Sequence, residues 1–86
     1  MTQGEFESKM RRAKTMGHLG ERSEYHAGYQ RGLRRLFHGD KFGTEEEHQM
    51  YLGLIGDADE VRRERGRGYQ DGLAGRDPAP LPLATL

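Results

Sequence analysis

The chain has 86 residues, of which 33% are hydrophobic, and it contains neither tryptophan nor cysteine. This length allows one domain with a small core, so we expect marginal stability and a tendency to form a homodimer or to dock on a partner. The absence of cysteine excludes disulfides, thiolate catalysis and cysteine-based metal sites, and it fits a reducing cytosol. No apolar run is long enough for a signal peptide or a membrane span, so the sequence predicts a soluble, cytoplasmic protein with no membrane partner.

The net charge is zero, but the charged residues are segregated along the chain. From Lys9 to Arg35 the local balance is +6, from Asp40 to Glu60 it is −6, and from Val61 to Arg76 it is +3. Two interpretations stay open at this point. The blocks can pair with each other across the fold or between protomers, or the basic blocks can form a face for nucleic acid.

Two helices are predicted in the first half of the chain. Thr2 and Glu5 have the spacing of a capping box, and the apolar residues that follow at helical spacing predict a first helix from Gln3 to about Met16. A glycine-rich stretch at residues 17–20 ends it, and Ser23 caps the second helix or lies in its first turn. That second helix runs to Phe37 or His38. Its expected apolar side consists of Tyr25, Gly28, Tyr29, Gly32, Leu33 and Leu36.

Two further helices are predicted in the second half. Thr44 and Glu47 form another capping box, which begins a third helix that reaches Leu54 or Ile55. Its expected inner face consists of Met50, Tyr51, Leu54 and Ile55. Asp57 or Asp59 caps a fourth helix, which ends near Gly75. The proline-rich tail at residues 76–86 is expected to be extended and dispensable for folding.

A six-residue stretch occurs twice in this chain at a spacing of 40 residues. Residues 28–33 read Gly-Tyr-Gln-Arg-Gly-Leu, and residues 68–73 read Gly-Tyr-Gln-Asp-Gly-Leu. The repeat predicts an all-α fold of two related helical hairpins, residues 3–38 and 43–75, in one domain of residues 1–75. Glycine inside a helix costs ~1 kcal/mol relative to alanine. Two glycines in each copy therefore indicate that the second and fourth helices approach each other closely at these positions.

The patterns of the usual catalytic and metal sites are absent from the sequence. The four histidines are scattered without a zinc motif, and no serine lies in a nucleophile elbow. We therefore expect no enzyme, no cofactor and no metal. A weaker hypothesis gives His38 and Asp40 a catalytic role.

Arginines alternate with glycines and a tyrosine between Arg62 and Gln70. This mixture can contact phosphates and stack on unpaired bases, although a core tyrosine flanked by solvent-facing arginines is the alternative. Glu60 and Glu64 are too few to neutralise the cluster, so we expect it to be available to a partner. The candidate binding residues are Arg31, Arg34, Arg35, Arg62, Arg63, Arg65, Arg67, Tyr69 and Gln70.

Residues 67–76, preceded by Arg62, Glu64 and Arg65, resemble the N-terminal helix of the bacterial ribosome modulation factor family. Residues 28–53 resemble that family more weakly, with Tyr51 where the family tends to have tryptophan. The resemblance is short, and it implies binding to 16S ribosomal RNA and storage of inactive ribosomes.

The sequence as a whole favours a small regulatory protein that acts by binding. The first hypothesis is association with RNA or the ribosome through the arginines. The alternative is an inhibitor of the kind that phages and other mobile elements encode, which would block a host protein or nucleoprotein complex in an anti-defence role.

Overall fold

The computed structural model describes residues 1–18 and 22–79, and this part of the chain contains four α-helices and no strand. The helices are α1 (Gln3–His18), α2 (Ser23–His38), α3 (Glu45–Gly53) and α4 (Glu60–Leu73). Short 3₁₀ turns follow α2 at Gly39–Lys41 and α3 at Leu54–Gly56. The predicted all-α fold with four helices is confirmed, and the helix ends agree with the prediction to within about one turn.

Side-chain caps begin three of the helices as their sequences predict. The backbone N–H of Glu5 donates to Thr2 Oγ1 at 3.1 Å, and the backbone N–H of Glu47 donates to Thr44 Oγ1 at 3.1 Å. Of the two aspartates considered for α4, Asp59 is the cap, since its carboxylate accepts from the N–H of Val61 at 3.0 Å. These contacts satisfy backbone donors that the first turn of a helix leaves without partners.

Gly75 lies two residues after the last residue of α4, Leu73, and has a left-handed conformation with a φ of 74°. The N–H of Gly75 donates to the carbonyl of Gly72, and the N–H of Arg76 donates to the carbonyl of Asp71. This pair of bonds is a Schellman motif, in which glycine is favoured because a Cβ is strained at positive φ. The expected position of the helix end is therefore confirmed.

Helices α2 and α4 touch backbone to backbone at the repeated glycines. A Cβ built at Gly28 would lie 1.9 Å from the carbonyl oxygen of Arg65, and one at Gly32 would lie 2.1 Å from that of Tyr69. Both distances are far below a van der Waals contact, so only glycine permits this approach. The contact partner on α4 moves from Arg65 to Tyr69 as the position on α2 moves from Gly28 to Gly32, so the two helices run parallel.

The glycines of α4 make equivalent contacts with the backbone of α2. A Cβ at Gly68 would lie 1.8 Å from the carbonyl oxygen of Tyr25, and one at Gly72 would lie 2.2 Å from that of Tyr29. A shift of 40 residues converts each contact into its counterpart on the other helix, so the two helices are related by an approximate two-fold axis. The prediction that α2 and α4 meet at their glycines is confirmed.

The buried core lies mainly between α1 and α2. It consists of Met10, Ala13, Tyr25, Tyr29 and Leu33, with Phe6 and Ala79 packed against it. Tyr29 and Leu33 have no exposed surface, and Tyr25 is 1% exposed. Leu54 and Tyr69 are also buried, at 5% and 3% exposure, so the core is built from three tyrosines and a few aliphatic residues, as the low hydrophobic content requires.

Three residues predicted to lie on inner faces are exposed instead, namely Leu36, Met50 and Ile55. Leu36 lies near the end of α2, beyond Leu73 where α4 stops, and its nearest cover is the turn at Gly75. Helix α3 contacts α4 through the ring of Tyr51, so Met50, rotated about 100° around the helix, faces away. The predicted inner face was wrong for these three positions and holds for Tyr51, which is half-buried, and Leu54, which is buried.

The segment after α4 docks on the core, whereas the sequence predicts that the tail after Gly75 is dispensable for folding. Tyr29 donates its hydroxyl hydrogen to the carbonyl of Arg76 at 2.6 Å, and the N–H of Ala79 donates to the Tyr25 hydroxyl at 3.2 Å. Lys9 pairs with Asp77 at 2.6 Å. Buried tyrosine hydroxyls need partners, and residues 76–79 supply them. The tail from residue 80 to 86 lies outside the described residues.

Candidate nucleic-acid interface

The arginines of α4 all have acidic partners in the folded protein. Arg62 pairs with Asp57 at 3.0 Å, Arg65 with Glu24 at 2.5 Å, and Arg67 with Glu64 at 2.8 Å, while Arg63 pairs with Glu60. The expectation that this cluster is uncompensated was wrong. The count of nearby acids left out Asp57, which lies five residues before Arg62. It could not include Glu24, which belongs to α2 and comes close to Arg65 only through the packing of α2 on α4.

Arg31 and Arg35 hold α3 and its connector against α2. The buried guanidinium of Arg35 donates to the carbonyl of Phe42 at 3.1 Å and also pairs with Glu45 at 3.1 Å. Arg31 pairs with Glu47 at 2.5 Å, and its guanidinium lies 5.1 Å from the centre of the Tyr51 ring. Both residues were predicted to bind a partner, and both make these contacts inside the fold.

Tyr69 belongs to the core. Its side chain is 3% exposed, its hydroxyl lies 2.6 Å from Nδ1 of His48, and its ring stacks on that of Tyr51 with the centroids 4.8 Å apart. Burial raises the pKa of the Tyr69 hydroxyl above its ordinary value. The ring is therefore covered by protein on the α3 side. Gln70, its neighbour, is exposed.

Ten of the 14 lysine and arginine side chains form ion pairs within the described residues. The other four form neither an ion pair nor a side-chain hydrogen bond there, and they are Arg11, Lys14, Arg34 and Lys41. Three of these four cations line the same groove, between α1 and α2. We call this the α1–α2 groove.

The α1–α2 groove has a volume of about 420 Å³. Its lining residues are Phe6, Glu7, Met10, Arg11, Lys14, Arg34 and His38. Arg11 and Lys14 lie three residues apart on one flank of α1, and Arg34 follows the buried Leu33 on α2, so the helix packing itself brings these cations together. Glu7 is the one carboxylate in the lining, and it accepts a hydrogen bond from the Gln3 amide at 3.0 Å. Counting histidine as neutral, the lining has a net charge of +2.

A second groove of similar volume, about 420 Å³, lies at the first turns of α2 and α4. Its charged lining residues are Arg22, Glu24, Glu60 and Glu64. The lining itself has a net charge of −2, and its carboxylates pair with arginines: Glu64 with Arg22 at 2.7 Å, Glu24 with Arg65, and Glu60 with Arg63. Two concave surfaces of equal size therefore differ in the sign of their charge, and the α1–α2 groove is the one suited to an anion.

Aromatic rings lie at one end of the α1–α2 groove. The rings of Phe6 and Phe37 are stacked with their centroids 4.3 Å apart, and the His38 ring meets them edge-on at 5.5 and 5.1 Å. Phe42 lies 6.5 Å from His38. His38 is exposed, while the three phenylalanines are half-buried. We call Phe6, Phe37, His38 and Phe42 the aromatic cluster.

The catalytic pair, a metal site and a membrane span can each be compared with the described residues. Asp40 pairs with Arg35 at 3.4 Å, and the contacts of His38 are with aromatic rings, so the two residues of the catalytic hypothesis have different neighbours. In the described part of the chain, no group of three or more potential metal ligands comes together. No helix there is both long enough and apolar enough to cross a membrane.

Arg34 is the one predicted binding arginine that lines the α1–α2 groove. Arg11 and Lys14 were counted in the basic block but were not named as binding residues. The available signal was that residues 8–20 contain four lysines and arginines but no aspartate or glutamate, so these cations outnumber the acids near them in sequence. Within α4, by contrast, Glu60 and Glu64 lie three residues from Arg63 and Arg67 and pair with them.

Comparisons with known proteins found no match. No protein-family model, curated protein or solved structure matches this chain. Three of the residues that carry the resemblance to ribosome modulation factor, Gly68, Tyr69 and Gly72, have a role in this fold, since they form the α2–α4 interface and the core.

Proposed function

We propose that this chain is a non-enzymatic regulatory protein that binds RNA, with the phosphates held in the α1–α2 groove. The observation that supports the proposal is the convergence of Arg11, Lys14 and Arg34 on one concave surface, while ten other cations are neutralised within the fold. An arginine that is already paired must give up its carboxylate before it can bind a phosphate. An unpaired one gives up only water and mobile counterions.

The ribosome is the RNA-containing partner to which the short resemblance of residues 67–76 points. The sequence predicts a binding surface formed mainly by the arginines of α4. The proposed surface lies instead on α1 and at the end of α2. A host protein with an acidic surface is the alternative partner, because the same cations would attract carboxylates.

Salt dependence tests this proposal. Affinity for a single-stranded oligouridine would be measured by fluorescence anisotropy over a series of salt concentrations. Three phosphate contacts predict a slope of log affinity against log salt of roughly −2, since each contact contributes about −0.7 on single strands. Lys14→Gln should flatten the slope by about 0.7.

Lys41→Gln is the matched control, because Lys41 is also exposed and unpaired but lies outside the α1–α2 groove. It should leave the slope unchanged, and circular dichroism should show the parent helix content in both variants. Equal effects of the two substitutions, or no binding of RNA, would contradict the proposal. Tighter binding of polyglutamate than of oligouridine at the same charge would instead favour the acidic-protein alternative.

A further inference from the structure

We infer that the groove takes single-stranded RNA, with one unpaired base stacked on the exposed ring of the aromatic cluster. This inference rests on the proposed function and adds the class of RNA. It starts from the position of the cluster, since Phe6 and His38 line the α1–α2 groove together with the three unpaired cations.

Arg34 and His38 present a cation and a ring side by side. They lie four residues apart on α2, which places both on the same face of the helix, and both line the groove. Phosphates of a single strand are separated from their bases by one sugar, so a site for both needs a cation next to a flat apolar ring. Aromatic rings beside cations are the recurring arrangement in proteins that bind unpaired nucleotides.

His38 is the member of the cluster that is free to receive a base. Phe6 and Phe37 stack on each other and join α1 to α2, so their rings already serve the fold. His38 touches them edge-on and remains exposed, and it makes no side-chain hydrogen bond within the described residues. The packing against both phenylalanines limits the motion of its ring, which reduces the entropy cost of stacking a base on it.

The size and shape of the groove favour an extruded nucleotide over a duplex. A volume of about 420 Å³ lies within the range of pockets for small ligands, roughly 300–1,000 Å³. In a duplex the base faces are covered by their neighbours in the stack, and the major-groove edges of A-form RNA lie in a deep, narrow groove that side chains cannot enter. A single strand exposes the faces that the aromatic cluster can contact.

The test compares three polyanions: single-stranded oligouridine, the duplex that it forms with oligoadenosine, and inorganic polyphosphate. The parent protein should bind the single strand more tightly than either of the others at equal phosphate concentration. His38→Ala should weaken binding of oligouridine by at least about fivefold, because one base stacked on an aromatic ring is worth ~1–3 kcal/mol. It should leave the affinity for polyphosphate unchanged.

Two further variants serve as controls. One keeps an aromatic ring at position 38 without the imidazole, and the other removes a histidine that lies outside the groove. His38→Phe should keep the parent affinity for oligouridine, because it retains a flat ring without a titratable group. His18→Ala should bind like the parent, since His18 is an exposed histidine at the end of α1 outside the groove lining.

The outcomes distinguish this inference from the proposed function. If none of the three polyanions binds, both are wrong. If all three bind equally and His38→Ala has no effect, the groove binds phosphates without base stacking and this inference alone is overturned. A loss of polyphosphate binding in His38→Ala that equals its loss of oligouridine binding would also overturn it, since histidine would then act by charge.

Discussion

Replacing Gly68 with alanine should destabilise the protein, although alanine is the better helix former. A Cβ at this position would lie 1.8 Å from the carbonyl oxygen of Tyr25 and 2.8 Å from the backbone N of Tyr29. Both atoms belong to the backbone of α2, so no side-chain rotation relieves the clash. An ordinary contact begins at 3.4 Å, so α2 and α4 must separate by about 1.6 Å at this point.

The magnitude follows from two opposing effects. Overpacking of a tight interface costs ~1–3 kcal/mol, and the rigid backbone contact places Gly68 at the upper end of that range. The gain in helix propensity from glycine to alanine offsets about 1 kcal/mol of it. A net loss of ~2 kcal/mol corresponds to a fall in Tm of about 8–16 °C for a domain of this size.

The assay is thermal unfolding followed by circular dichroism, with Gly53→Ala as the control. Gly53 ends α3 with a φ of −75°, and apart from its chain neighbours and the backbone of its own helix no atom lies within 4 Å of the position where its Cβ would be. Its substitution should therefore leave the Tm unchanged or raise it. If Gly68→Ala melts at or above the parent temperature, the close backbone contact between α2 and α4 is wrong.

Two further predictions concern the tyrosines of the core. A protein that ends at Gly75 should be less stable than one that ends at Ala79, because the buried Tyr29 hydroxyl loses its acceptor on Arg76, at a cost of ~1–3 kcal/mol; equal midpoints in urea would contradict the docking of residues 76–79. Burial raises the pKa of Tyr29 to about 12, and burial together with the hydrogen bond to Asp71 raises the pKa of Tyr25 as well. The folded state therefore retains these protons more strongly than the unfolded state, so this contribution to stability is complete below pH ~10 and is lost as the pH rises towards 12. Urea unfolding at pH 9 and pH 11 measures the change, and equal stability at the two values would show that the hydroxyls are not buried.

The sequence predicted the helix interface because the repeat concentrates glycine at positions where it is unfavourable. Gly28 and Gly32, with their copies at Gly68 and Gly72, lower the intrinsic stability of two helices. Such a cost is expected only where close packing between the helices requires glycine. The capping boxes at Thr2 and Thr44 were predictable for a similar reason, since capping depends only on residues three positions apart.

The binding surface could not be located in the same way, because ion pairs depend on tertiary neighbours. Arg65 finds Glu24 across 41 residues, and Arg22 finds Glu64 across 42. The predicted free charge of α4 was too high because Glu24 lies on another helix, and because Asp57, five residues before Arg62, was not counted as its partner. The docking of residues 76–79 was not predicted, because the prolines indicated only that this segment is not helical. A non-helical segment can still accept hydrogen bonds from buried tyrosines, as the carbonyl of Arg76 does from Tyr29.

The most direct test of the binding surface is a titration of the ¹⁵N-labelled protein with single-stranded oligouridine, followed through its backbone amide resonances. The largest shifts should occur on α1 at residues 9–18 and at the end of α2 at residues 34–38. Residues 62–70 of α4 should keep their resonance positions, because their arginines are paired within the fold. Shifts concentrated on residues 62–70, with α1 unaffected, would contradict the assignment of the α1–α2 groove as the RNA site.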